Sequence, residues 1–258
     1  MVLQNFWCCA LVKETWTGDM EFKKSTYSSQ AAEYVSEMIR LGRLRPGQPI
    51  RECMLSEELG ISRAPIREAL LLLVEKGLVC SEPHRGKYVR SLSPKEIFDS
   101  YMVAGILEGA GVALSALLWK KDQEKAFEGA VDLVERIRPD ADADLLAAVD
   151  EKFHITLLAA CPNEHLVSLA RHSSASIAKF LYYREWGRLF TPEQYRARHL
   201  EVARAVRTKE PYVIEEALRR HYTETGRLLS LSLGGDAAVQ HSDSPDKEQR
   251  VKKLKEPL

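Results

Sequence analysis

The chain of 258 residues carries no net charge, since 37 Lys and Arg balance 37 Asp and Glu. That balance excludes a chain-wide basic coat for nucleic acid, but not a local basic face. Cysteine is sparse. The five, at positions 8, 9, 53, 80 and 161, form no C-x-x-C pair. An odd count with scattered spacing argues against a disulfide framework and fits a reducing, cytoplasmic setting. No run of 18 apolar residues occurs, so no membrane span is expected. The apolar opening MVLQNFWCCALV lacks a basic segment and a small-residue cleavage site, so it does not read as a secretory signal.

What is present is the mixture of a soluble globular protein, 45% hydrophobic and 29% charged, with length for one large domain or two ordinary ones. The charge is unevenly placed. Residues 23–91 hold 12 basic and 8 acidic side chains, whereas residues 94–233 hold 19 and 21. A mildly basic first part and a mildly acidic body suggest a division of labour.

Periodicity divides the chain into four parts. Residues 1–27 read as an unstructured leader, in which Met20 is a candidate start. Residues 28–92 read as helix, short helix, tight turn, longer helix and a two-stranded ribbon, which together make a winged helix-turn-helix. Ala31, Tyr34, Val35, Met38, Ile39 and Leu41 recur at spacings of three and four. Gly60 and Gly77 offer left-handed helix stops, and Ser62 is placed to cap the longer helix. Residues 93–233 read as an antiparallel helical bundle, with helices near 94–119, 122–137, 142–160, 164–186, 192–208 and 211–232. Ser93 and Glu96, and Thr191 and Gln194, have capping-box spacing, while Asp142 (or Asp140) and Asn163 are further caps. Residues 234–258 read as a charged, unstructured tail. The fold expected is therefore mainly α.

Arg63 and Arg67 are four apart on the longer helix of the first module, so they share one face near its N-terminus. Ala69, Leu70, Leu73, Val74 and Leu78 form the opposite, apolar face. A guanidinium matches the acceptor pair of guanine, or a phosphate, in forked geometry. Ser62 would offer a hydroxyl to phosphate at a helix N-terminus. Pro83, His84, Arg85 and Gly86 form the wing tip.

The string L-S-E-E-L-G-I-S-R-A-P-I-R-E-A-L, followed by P-H-R-G-K-Y-V, resembles the DNA-binding domain of GntR-type bacterial transcriptional regulators over about residues 28–92. The resemblance implies that Ser62, Arg63, Ala64, Arg67 and Gly86 contact operator DNA. One departure stands out. Cys53 occupies a position where the family often has Arg, so a phosphate contact there is either removed or shifted to Arg51.

In the second module Asp150 and His154 are four apart on one helix, and His199 and His221 each lie in the middle of a later helix. Three imidazoles and one carboxylate suit zinc, nickel, iron or manganese and leave open coordination positions. Phe153, Leu157 and Leu158 flank His154, Val202 and Ala203 follow His199, and Ala217 and Leu218 precede His221, so all three border apolar faces. Taken singly, each histidine is more simply a surface or satisfied core residue. His165 and His172 make weaker candidates.

The pattern D-x-x-F-H-x-x-L from Asp150, the later His199, and a last helix containing E-A-L-R-R-H resemble the FCD effector domain of the FadR subfamily over about residues 94–232. That resemblance implies a metal held by Asp150, His154, His199 and His221, with zinc the first choice and nickel or manganese behind. It also implies a small carboxylate effector at the metal. The family Arg that clamps such an anion, four residues before Glu108, is replaced by Ala104. Arg171 and Arg184 are candidates to take its place.

These readings converge on a cytoplasmic, homodimeric, ligand-responsive repressor or activator acting on a palindromic operator. Two others compete. One is a metal-dependent enzyme acting on a small acid, for which the sequence offers no H-E-x-x-H and no obvious nucleophile–base pair. The other is a DNA-binding protein whose helical module holds no metal.

Overall fold

In the computed structural model the described residues run from Thr26 to Gly234. The leader and tail expected at 1–27 and 234–258 lie outside them, apart from their inner ends. There Thr26 caps α1 (Tyr27–Arg40) through its hydroxyl, so Tyr27 belongs to the helix rather than to the leader. The apolar stripe of α1, including Ala31, Ala32, Val35 and Ile39, is buried against α3.

The helix-turn-helix consists of α2 (Glu52–Leu59) and α3 (Arg63–Glu75). Gly60 ends α2 at φ 65°, in the left-handed region that a side chain would strain. Ser62 has the extended backbone of a capping residue, but its hydroxyl makes no capping bond. Ile66, Ala69, Leu70 and Leu73 are buried on one side of α3.

The wing has one strand more than the sequence pattern predicts. β1 (Pro49–Ile50) adds to the edge of β3 (Gly86–Val89), which pairs on its other side with β2 (Val79–Glu82), all antiparallel. A two-residue strand beginning with Pro is too short to show alternation, and Pro fits only a sheet edge.

The second module is all helix: α4 (Pro94–Leu117), α5 (Lys121–Glu135), α6 (Ala143–Leu157), α7 (Glu164–Arg171), α8 (Ser174–Leu181), α9 (Tyr183–Trp186), α10 (Pro192–Arg207) and α11 (Pro211–Ser232). Capping boxes start α4 and α10, and Asp142 and Asn163 cap α6 and α7. The single helix expected over 164–186 is three. Ser173 is extended and starts α8, and Tyr182 leaves helical geometry between α8 and α9. The Ser176 hydroxyl donates to the Arg171 carbonyl at 3.1 Å, a local bond that competes with the helical ladder at this break.

α4 is long and apolar enough by composition to cross a membrane, yet most of it is buried in the bundle. It runs along α11. The contact is close because glycine faces backbone: a Cβ at Gly109 would lie 3.2 Å from the Glu215 Cα, and one at Gly105 3.1 Å from the Arg219 Cα.

The two modules share a core. Ile97, Tyr101, Ala104, Ala178, Leu181, Tyr182 and Leu229 of the bundle are buried together with the apolar interior of the first module. The Tyr182 hydroxyl donates to the Leu92 carbonyl (2.9 Å) and accepts from the Leu92 N–H (3.0 Å), which pins the connection between the modules.

Candidate metal centre and nucleic-acid interface

Three helices bring the four predicted ligands together. Asp150 and His154 come from α6, His199 from α10 and His221 from α11, and their ligand atoms all lie within 4.8 Å of one another. Asp150 and His154 meet because a four-residue step returns to the same helix face. The Asp150 Oδ1 lies 3.0 Å from the His199 Nε2 and 3.7 Å from the His154 Nε2. The His199 and His221 rings are 4.8 Å apart by centroid, and those of His154 and His221 5.3 Å.

Surrounding groups fix which ring nitrogens face the centre. The His199 Nδ1–H donates to the Tyr195 carbonyl at 2.8 Å. The His154 Nδ1–H donates to Glu108. Both rings therefore carry one proton outward and turn Nε2 toward Asp150, where His199 shares a hydrogen bond with the carboxylate, the orientation that metal-ligating histidines adopt. His221 is half-buried, with a buried Nδ1 that has no hydrogen-bond partner. An orphaned imidazole nitrogen beside two oriented imidazoles and a carboxylate suits a divalent transition metal.

The electrostatics agree with the geometry. Burial alone would raise the Asp150 pKa, but the Lys179 charge, the His199 hydrogen bond and the nearby imidazoles hold its carboxyl well below the usual carboxylate range. Burial lowers His199, although its bond to Asp150 opposes this, and lowers His221 well below its ordinary value, with the neighbouring rings and Arg198 adding to the effect. His154 moves the other way. Burial pulls it down, but the charge and hydrogen bond of Glu108 outweigh burial and raise it. The set thus combines an ionised carboxylate with two imidazoles, His199 and His221, that burial disfavours in the charged form, groups that can donate lone pairs to a metal.

A part-open cavity with about 370 Å³ of empty space adjoins these four residues. Tyr101, Trp186, Phe190, Tyr195 and Tyr222 supply aromatic walls, and Arg198 and Thr225 the remaining polar groups. The Tyr101 hydroxyl is buried with no partner. Arg198 stacks on Phe190, donates to the His221 carbonyl and to the Thr225 hydroxyl, and pairs with Glu224. Arg171 and Arg184 are exposed and do not line the cavity. Arg184 instead lies against the first module, 3.0 Å from where a Gly42 Cβ would be. His165 and His172 are also exposed.

Sequence reasoning missed several of the groups that organise this site. Glu108 entered only as a landmark, yet it is buried and accepts from both His154 and the Tyr222 hydroxyl (2.7 Å). Tyr195 could have been found, since it lies one helical turn before His199. Lys179 reaches Asp150 at 2.6 Å from a helix whose existence depends on the break at Ser173, so no spacing announced it.

On the first module, Ser62, Arg63, Ala64, Arg67, Arg85 and Gly86 are all exposed. The first four lie at or just before the start of α3. The other two sit at the wing tip, where His84 and Gly86 take positive φ of 64° and 79°. Arg85 folds over the Tyr88 ring at 3.9 Å. Arg51, the substitute suggested for an Arg at position 53, is exposed just before α2.

A winged helix-turn-helix joined to an all-helical domain that carries a His/Asp cluster is the architecture of a DNA-binding transcriptional regulator. Residues 27–89 match the bacterial regulatory proteins of the gntR family and residues 99–224 match the FCD domain. The chain belongs to the GntR family, and is a transcriptional regulator of GntR/FCD type. It is 29% identical over 221 residues to a probable D-xylose utilization operon transcriptional repressor of Paenarthrobacter nicotinovorans, covering 85% of this chain and 96% of that protein. It is 33% identical over 134 residues to an uncharacterized HTH-type regulator of Agrobacterium vitis, covering 51% and 78%. Among solved structures, Escherichia coli McbR/YncC shares the fold at a TM-score of 0.61 and 17% identity, over 81% of this chain and all of that one.

Proposed function

We propose that this protein is a cytoplasmic, homodimeric repressor whose operator affinity is set by a small organic or sugar acid bound beside a metal, with zinc the first choice and nickel or manganese behind. The observation that carries this reading is the convergence of Asp150, His154, His199 and His221 on one wall of an aromatic cavity. A bound dication would supply Lewis acidity and positive charge for an oxygen-donor ligand. Arg198, rather than Arg171 or Arg184, is the guanidinium placed to support anion recognition after the replacement of Arg at Ala104.

Ser62, Arg63, Ala64 and Arg67 are proposed to meet one half-site of a palindromic operator, with Arg85 and Gly86 on the adjacent backbone or minor groove. Dimerisation is supported by an apolar face of α4 that exposes Val103, Ile106, Leu114 and Leu117, a surface suited to a second copy. The core shared between the modules is a route by which events at the metal reach the DNA-binding heads. Repression follows the sense named for the Paenarthrobacter relative. Matches to regulator families over both modules favour a sensor over a metal-dependent enzyme.

The test starts from full-length protein purified without chelator. Elemental analysis is expected to find one divalent transition metal per subunit. Calorimetry with a panel of organic and sugar acids should show binding to the metal-loaded form only. Protein that stays metal-free after zinc is added back would overturn the metal reading, and equal binding to both forms would reduce the metal to a structural part.

A further inference from the structure

The start of α2 lies beside the wing, because β1 pairs with β3 in a register that sets Ile50 opposite Lys87. Glu52, two residues beyond Ile50, uses this position to reach two cations at once. Its Oε1 accepts from the Lys87 Nζ at 2.8 Å and its Oε2 from the Arg67 Nε at 3.2 Å. One carboxylate thus ties the recognition helix α3 to the wing strand β3. The Glu52 side chain is 25% exposed and that of Lys87 15%, whereas Arg67 stands 62% exposed.

The atoms involved decide what the tie does. Glu52 takes only Nε of Arg67, and among the described residues no hydrogen bond engages its two terminal nitrogens. Those two form the end-on fork that matches the paired acceptors of a guanine edge. A carboxylate on Nε removes side-chain freedom from a long exposed Arg and leaves its reading edge outward. The same carboxylate has a second effect. It neutralises Lys87 and part of Arg67, the kind of charge from which binding to arbitrary sequence draws its affinity through phosphate contacts. It also carries a negative charge that a nearby phosphate would repel.

We propose that Glu52 is a specificity-determining residue, which holds Arg67 for base readout and suppresses binding to DNA of arbitrary sequence. The proposal rests on the reading that Arg67 contacts operator bases. Its two halves predict opposite changes on two kinds of DNA, a pattern that simple loss of structure does not produce. Removing the charge frees Lys87 for phosphate and leaves Arg67 mobile, so random DNA binds tighter while discrimination drops.

The experiment uses the full chain and fluorescence anisotropy at two salt concentrations. One probe is a labelled duplex of random sequence, about 30 base pairs long to span two half-sites. The other is a duplex recovered from a random pool by the wild-type protein. Glu52→Gln should bind the random duplex about five- to tenfold more tightly near 0.1 M salt, with a salt dependence steeper by about one contact. Its preference for the recovered duplex should fall about tenfold. Glu52→Asp, which keeps the charge but shortens the reach, should bind random DNA as weakly as wild type and still lose preference. It carries the test if Glu52→Gln melts below the assay temperature.

Random-duplex affinity that is unchanged or weaker in Glu52→Gln, or a preference that survives in both variants, would overturn the proposal. Arg67→Ala is measured in parallel. If it leaves the recovered duplex fully bound, the reading of Arg67 has failed in its own right. If it abolishes preference while the Glu52 variants behave as wild type, only the role of Glu52 is lost.

Discussion

Lys179 of α8 places its ammonium 2.6 Å from the Asp150 Oδ2, on the carboxylate whose other oxygen faces His199 and His154. The same ammonium lies 3.9 Å from the centre of the Trp186 ring. A carboxylate at the meeting point of three imidazoles is thus balanced from outside by a cation on the helix that packs against the DNA-binding module. Lys179→Met should leave Asp150 with an uncompensated buried charge and cost about 3 kcal/mol in metal-free protein. Zinc should recover part of the loss, because a ligand that binds only the native state stabilises it by mass action. Thermal melts with and without zinc are the check. Equal melting of variant and wild type in both conditions would show that the pair contributes nothing.

Glu108 sets the orientation of His154 by accepting its Nδ1–H, and is itself held by the Tyr222 hydroxyl. Glu108→Gln keeps the shape but removes the charge that holds the ring in its Nδ1–H tautomer and makes Nε2 more basic. Zinc affinity is expected to fall roughly 10- to 100-fold, the usual effect of losing such a partner. Competition titration against a chromogenic chelator measures it, and unchanged affinity would mean that His154 is fixed by packing alone.

Arg67 should matter to DNA and little to folding, since its side chain is 62% exposed. Arg67→Ala is expected to cost about 1–3 kcal/mol of binding to a selected operator if it makes a bidentate base contact. The Arg63→Ala/Arg67→Ala double variant should fail to shift that operator in a gel. Full retention of the shift by the double variant is the result that would dismiss this face of α3.

The two modules also meet at an ion pair, where the Arg40 Nη1 lies 2.7 Å from the Asp144 Oδ1. The Tyr183 hydroxyl donates to the same oxygen at 2.6 Å. The Tyr183 bond first, and Arg40 after it, lower the Asp144 pKa against the opposing effect of burial. A carboxyl lowered on folding gives stability that is present above its unfolded value and lost as pH falls through its folded value. Asp144→Asn should therefore melt below wild type at pH ~7, by no more than about 1 kcal/mol for so exposed a pair. The difference should close only as pH falls below the ordinary carboxylate range. A difference that persists there would assign the effect to packing rather than charge.

Fold class and part of the candidate site were legible in the chain because each had a local or repeating signature. The turn at Gly60, the arginines four apart on α3, and the capping residues Ser93, Asp142, Asn163 and Thr191 act over a few residues of backbone, where spacing alone fixes geometry. Asp150 and His154 are likewise one helical turn apart in any helix. That His199 and His221 join them was expected from family pattern and from the apolar faces they border. Only the packing of α6, α10 and α11 brings the four within reach of each other.

What the chain did not disclose depends on contacts between distant segments. Glu108 is 46 residues from His154 and 114 from Tyr222, and Lys179 is 29 from Asp150. The break of the 164–186 segment into three helices is of this kind. Local pattern allowed one continuous helix, while the folded chain sets Lys179 on Asp150 and the Tyr182 hydroxyl on Leu92. Periodicity reports which face of a helix is apolar, because burial repeats with the helical turn. Which charge meets which partner is decided by how the helices cross, so Arg198 in place of Arg171 or Arg184 at the cavity was a matter for tertiary structure alone.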